Sequence, residues 1–213
     1  MKVAQRATSA TGKTGGTSGY FALDRWKLQD GTIGTAGRCT IAQIADGPAG
    51  FANCLKISAT TADTSIDARE ALILQTRFEG QDLQQLKKGT SSAEQVTVSF
   101  YVKGNAAALY VCELHDVDNG RNNTQSFAVT TDWNRIELTF AADTSDPLDD
   151  DTAVSLSLNF WLHSGANYSG GTFASNTWAD ITLANTTAVA NRTSIYDSTN
   201  RTFFLTGVQM EIG

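Results

Sequence analysis

The side chains able to do chemistry are few and scattered. His115 and His163 are the two imidazoles of the chain, and neither falls in the H-E-x-x-H spacing that puts two of them on one metal. No G-x-S-x-G turn lifts a serine into the position of a nucleophile. Carboxylate pairs for glycoside hydrolysis are defined by three-dimensional spacing, and no motif announces them. The expectation is therefore a protein that binds without catalysing. Gly12-Lys13-Thr14 imitates the end of a phosphate-binding loop, but Ala7 stands where the first glycine belongs, with no strand before it and no helix after. Asp116-Val117-Asp118-Asn119-Gly120 imitates a calcium loop whose glycine comes one position early and which lacks a closing glutamate, so a hairpin turn is expected there. Asp143, Asp146, Asp149, Asp150 and Asp151 crowd another loop. Hard oxygen ligands at that density suit a structural Ca2+, with Asp146, Asp149, Asp150 and Asp151 as candidate ligands and a solvated acidic loop as the alternative. No other cofactor is expected.

Binding residues are sought on strand faces. From Val154 to His163 the chain alternates, so Val154, Leu156, Leu158, Phe160 and Leu162 are assigned to the core and Ser155, Ser157, Asn159, Trp161 and His163 to the outside. Trp161 and His163, with Tyr101 on the outer face of another strand, are predicted to form an aromatic platform for sugar stacking or a subunit contact, extended by Tyr168 and Trp178. The competing expectation packs some of them beneath the long polar segment 164–200. Trp26 and Trp133 read as core or sandwich-edge residues.

The elements that must carry these residues are short and regularly spaced. Strands are predicted at 20–28, 40–45, 51–59, 71–78, 96–102, 108–115, 126–129, 135–140 and 154–162, and a last one over 203–213. In that last strand Phe204, Thr206, Val208, Met210 and Ile212 are expected to share one face. One short helix is expected over 81–88, stopped by Gly89. Such a ladder of strands with frequent turns is an all-β antiparallel sandwich of jelly-roll type, one domain spanning 20–213. Residues 1–19, rich in Thr, Ser and Gly, read as a flexible or docking arm.

Bulk properties narrow the partners. The 213 residues carry a net charge of −6, and no stripe of Lys and Arg is available to neutralise phosphates, so nucleic acid is excluded as a partner. The opening Met1-Lys2-Val3-Ala4-Gln5-Arg6 has no apolar core of a secretion signal and no long apolar run follows, so no membrane insertion is expected. Cys39, Cys54 and Cys112 lie inside apolar segments without a C-x-x-C spacing and read as buried thiols.

Four ordered segments carry a resemblance. Gln75-Thr76-Arg77-Phe78-Glu79-Gly80-Gln81-Asp82, Thr97 to Lys103, Leu156 to Leu162, and Leu205-Thr206-Gly207-Val208-Gln209-Met210-Glu211-Ile212-Gly213 resemble a β-sandwich domain recurring in bacteriophage virion proteins, often tail-fibre or tail proteins. Val3-Ala4-Gln5-Arg6 followed by Asp24-Arg25-Trp26 is similar to that domain's start. Arg77-Phe78 departs from the Ile that usually precedes Glu-Gly, and Phe204 from the usual Trp. More distantly, the Gln-rich strand, short turn and Thr-Val-Ser-Phe-Tyr-Val-Lys-Gly are similar to jelly-roll carbohydrate-binding modules. The resemblance implies a virion surface protein, made in the bacterial host cytoplasm and assembled as a homo-oligomer, with a trimer as first expectation. Its role would be a tail fibre or receptor-binding part recognising host surface glycan. The alternatives are a capsid decoration or head-fibre protein that contacts other virion proteins, and the glycan-binding module of a depolymerase.

Overall fold

Period-two alternation of apolar side chains builds two antiparallel sheets of six strands each in the computed structural model, which describes residues 1–31 and 34–213. The first sheet runs β1 (Ser9–Lys13), β3 (Arg38–Ile44), β4 (Cys54–Thr61), β12 (Thr202–Ile212), β6 (Val96–Gly104), β9 (Asn134–Phe140). The second runs β11 (Ala179–Asp180), β8 (Arg121–Val129), β7 (Ala108–Asp116), β10 (Val154–Ser164), β5 (Ala71–Glu79), β2 (Lys27–Asp30). Facing residues of the two sheets make one core, with Phe100 set edge-on to Phe127 at 5.1 Å and to Phe160 at 5.0 Å. This is a jelly-roll β-sandwich, as the strand spacing predicts.

Four local expectations are corrected. The terminal strand does not keep one alternation along its length. Thr206 pairs with Tyr101 and Gln209 with Ser99, so two residues of β12, Gly207 and Val208, oppose the single Phe100 of β6 and a bulge intervenes. Phe203 and Leu205 are buried before it, Met210 packs on the core after it, and Phe204 points outward. Gly207 makes the bulge possible at φ +61°, where a Cβ would lie 2.8 Å from the Phe51 ring.

The segment before Tyr20 is laid into the fold instead of hanging free. Its strand β1 pairs with β3, and buried Thr14 donates its hydroxyl to the Gly37 carbonyl and meets the Tyr196 hydroxyl at 3.0 Å. Met1 lines a cleft of about 450 Å³ on the open side of the sandwich, together with Trp26, Phe51, Phe78 and Met210.

The strand expected over 20–28 is confined to β2, because Ala22, Leu23 and Trp26 turn into the core first. The helix expected over 81–88 is two 3-10 turns, Gly80–Asp82 and Gln84–Leu86, closed by Lys87 at φ +50°. Burying Leu83 and Leu86 is achieved without an α-helix. Among the described residues the single α-turn, α1 (Ala166–Ser169), lies in the long segment that follows β10.

The three cysteines are buried and free. Burial pushes the Cys39 thiol up to about 11 and that of Cys54 to about 12. Among the described residues, no helix is long and apolar enough to cross a membrane.

Candidate functional site

The outer face of the second sheet carries a row of polar side chains crossing four strands. β10 lies between β5 and β7, which sets Gln75 and Glu113 on either side of Asn159. Arg77 donates its Nε–H to Gln75 at 2.7 Å, Gln75 donates to Asn159 at 2.9 Å, and Asn159 donates to Glu113 at 2.9 Å. Asn122 on β8 donates to the other Glu113 oxygen at 2.8 Å, and the Trp161 indole N–H donates to Glu113 at 2.7 Å. One carboxylate thus takes three neutral donors, which satisfies it at 3% exposure without a cation. Along β5 and β2 the row is edged by Arg77 and Lys27. Lys27 lies opposite Gln75 and donates its ammonium to Gln29 at 2.7 Å. Burial, then the charge of Arg77, lowers the Lys27 pKa.

One end of this row is closed by an apolar cap. Trp161 is 8% exposed, and Tyr168, Phe173 and Val189 of the segment after β10 pack on it, on Val111 and on Ile73. The Tyr168 ring lies 5.2 Å from that of Trp161. His163, farther along β10, is 2% exposed, with Nδ1 at 2.8 Å from the Ser194 hydroxyl and Nε2 at 3.4 Å from Glu70. Burial holds it neutral, its pKa lowered to about 4 against the pull of Asp63.

The aromatic residues expected to form one platform are therefore divided. Trp161 and Tyr168 come together beneath the long segment, because that segment must bury its own apolar side chains against something. A bulge between Trp161 and His163 instead pairs His163 with Leu72 and turns it inward, 5.3 Å from the buried Tyr196 ring, not outward as the alternation predicts. Tyr101 lies on the outer face of the opposite sheet, 5.4 Å from Phe51. Trp178 donates its indole N–H to the Ala141 carbonyl at 2.7 Å and lies under the Lys88 ammonium, away from both groups.

The acidic loop does not gather into a metal centre. Among the described residues, no three His, Cys, Asp or Glu side chains are placed to hold an ion. Asp143 is buried against Lys88 at 3.1 Å and Arg121 at 3.1 Å. Asp146 stands 4.0 Å from Arg121, the Asp149 backbone N–H donates to Asp118, and Asp151 accepts from the backbone of Ala153. Asp150 is exposed at the tip. Asp143 and Asp146 are drawn towards Lys88 and Arg121 and Asp151 bonds within its own turn, so these carboxylates do not converge with those of Asp149 and Asp150 on one point.

Sequence reading assigned no binding role to Gln75, Glu113, Asn122 or Arg77. The available signal was Glu113, a carboxylate at an outward position between Val111 and His115, in register with the outward Asn159.

The opposite sheet presents a second, different surface. Phe204, Trp133, Tyr101 and Phe51 are partly exposed there, with Phe204 and Trp133 at 6.2 Å. The ring of Phe204 is approached by Lys56 at 5.3 Å and Lys103 at 5.0 Å, and Lys103 also lies 5.1 Å over Trp133. Asp46 binds Lys103 at 2.9 Å.

No protein-family model matches the sequence, and no curated protein matches it. Solved structures similar to it include the family 11 carbohydrate-binding module of the cellulosomal cellulase Lic26A-Cel5E of Clostridium thermocellum, at 13% identity over 96% of this chain and 97% of that one, with TM-score 0.46. The family 30 module of the cellulosomal cellulase Cel9D-Cel44B of the same organism is 14% identical over 98% and 96%, with TM-score 0.42. The enzymatically active domain of tailspike protein 4 of bacteriophage CBA120 is 12% identical over 89% of this chain and 20% of that one, with TM-score 0.43.

Proposed function

We propose that this chain is a non-enzymatic bacteriophage virion protein, a tail-fibre or receptor-binding component that holds host surface glycan on the outer face of the second sheet and works as a homo-oligomer, with a trimer as first expectation. The phage assignment rests on the four ordered motifs. The glycan assignment rests on one observation, the hydrogen-bonded row Arg77, Gln75, Asn159, Glu113 and Asn122 ending at Trp161 and Tyr168. Gln75, Asn159, Glu113 and Asn122 are themselves buried, so the row serves as a rigid bed that fixes the exposed Arg77 at its surface, where sugar hydroxyls can reach its guanidinium. A row whose rotamers are already locked loses little side-chain entropy on binding, and the half-buried rings of Tyr168 and Phe173 add apolar surface for a sugar face.

A glycan array read with labelled protein tests this. The wild type is expected to be retained on a restricted set of polysaccharides and Tyr168→Ala to lose at least half of the signal with an unchanged far-ultraviolet spectrum; no retention on any glycan, or equal retention by the variant, removes the reading.

A capsid decoration role is favoured by a different observation, the aromatic and lysine surface of the first sheet. Ring faces that already carry ammonium groups are poor sugar platforms, whereas exposed aromatics beside cations suit a protein partner. Localising the protein on intact particles separates the two: density at a tail tip supports receptor binding, and density confined to the shell supports decoration.

A further inference from the structure

We propose that the ligand of the second sheet's outer face is an anionic glycan, with a carboxylate or sulfate on its repeating unit, and that Arg77 and Lys27 receive that charge. This rests on the glycan reading above and names its substrate class.

The first observation is a cation pair without a counter-ion. Among the described residues, neither Arg77 nor Lys27 has a carboxylate within ion-pair distance. Glu113 takes neutral donors and Glu79 accepts from Gln81, while Asp24 and Asp82, which line the same cleft as Arg77, stand beyond ion-pair distance of it. In a chain of net charge −6, acidic residues are plentiful, so their exclusion from these two cations is a local feature.

The second observation is that the cations are held. Gln75 accepts from the Arg77 Nε–H, leaving the guanidinium's terminal NH2 groups without a partner among the described residues. Gln29 accepts one N–H of Lys27, leaving the other two. A solvated lysine or arginine would not have its head fixed by a side chain beneath it. Burial first, and then the charge of Arg77, disfavours the Lys27 ammonium, and an anion arriving beside the two cations offsets that second cost.

The third observation is Ser157. It lies in register between Arg77 and His115, is 1% exposed, and its hydroxyl has no hydrogen-bond partner. A buried hydroxyl without a partner costs free energy unless a bound group completes it. Arginine offers two parallel donors to a planar carboxylate or a sulfate edge, and Ser157 can donate a further hydrogen bond beside it.

Affinity electrophoresis of the whole chain through gels containing polygalacturonate, dextran sulfate or neutral mixed-linked β-glucan tests the proposal. An oligonucleotide of similar charge density serves as control. Retardation by polygalacturonate, by dextran sulfate or by both is expected to exceed that by the neutral glucan, and the two arms separate carboxylate from sulfate. Arg77→Gln and Lys27→Gln should each weaken it about tenfold, and Arg77→Lys should fall between wild type and Arg77→Gln.

Equal retention by the neutral glucan in wild type and Arg77→Gln overturns the anionic class while leaving the glycan reading standing. No retention by any polysaccharide overturns both. Retardation by the oligonucleotide as strong as by the polysaccharides overturns the proposal by showing attraction to charge alone.

Discussion

Replacing Lys88 by Met removes the cation at the centre of a buried ion cluster. The Lys88 side chain is 6% exposed, with its ammonium 2.6 Å from Asp116 and 3.1 Å from Asp143, and it donates to the backbone carbonyls of Ser145 and Asp146. Those contacts join the 3-10 turns after β5, the end of β7 and the acidic loop. Without the ammonium, Asp143 still has Arg121, but Asp116, whose side chain is fully buried, keeps only the donors of Asn119. Leaving one buried charge uncompensated costs about 3–5 kcal/mol, a large share of the ~5–15 kcal/mol that holds a domain together. Urea unfolding at pH 7, followed by tryptophan fluorescence, is expected to show the midpoint falling by roughly 1–2 M for a slope of about 2–3 kcal/mol/M. Lys88→Met combined with Asp116→Asn should recover at least ~1 kcal/mol, because the stranded charge is gone. A single-variant loss below about 1 kcal/mol, or a double variant no more stable than the single, would show that Asp116 is not held by Lys88.

Three further outcomes are expected. His163 is neutral in the fold with its pKa lowered from 6.5 to about 4, so the unfolded chain binds the proton more readily; stability is complete above pH 6.5 and declines as pH falls towards 4. The decline reaches up to about 1.4 kcal/mol per pH unit, and His163→Gln should flatten it in denaturation curves taken between pH 7 and 4, an unchanged slope counting against the assignment. Gly207→Ala places a Cβ at φ +61° beneath Phe51, and a loss of about 1–3 kcal/mol is expected in thermal melts; since the opposing atom is the tip of a mobile ring, adding Phe51→Ala should restore only part of it. Cys39 and Cys54, buried with thiols raised to about 11 and about 12, should react with a thiol reagent only as fast as the chain opens, and rapid stoichiometric labelling of native protein at pH 8 would contradict that burial.

The sandwich was legible because its signal is local. The alternation from Val154 to His163 needs only the strand's own period to place Leu156, Leu158 and Phe160 inside, and the structure buries all three. The terminal strand failed the same reading because one inserted residue reverses the parity, and a glycine in a strand announces that only to a reader who asks why it is there. The helix over 81–88 failed because Leu83 and Leu86, three apart, suit a 3-10 turn as well as an α-turn.

The polar row was only half legible, since outward position and exposure are different properties. Ser157, Asn159 and Trp161 do point outward, yet each is nearly inaccessible because long neighbours on β5 and β7 and the segment after β10 close over them. The partners of Asn159 and Trp161, Gln75 and Glu113, are some tens of residues away and become neighbours only through the order β7, β10, β5.

That order also bears on how the two outer surfaces can be used. The polar row belongs to the sheet containing β10, and the Phe204, Trp133 and lysine surface belongs to the sheet containing β12, so the core separates them. A protein docked on the β12 side leaves the β10 face open. In the role proposed above, receptor binding and attachment to a particle would use separate surfaces, and Phe204→Ser is expected to weaken assembly onto particles while leaving glycan retention unchanged. Loss of both from that substitution, with the fold intact, would mean that the two faces communicate through the core or that glycan is bound only by the assembled form.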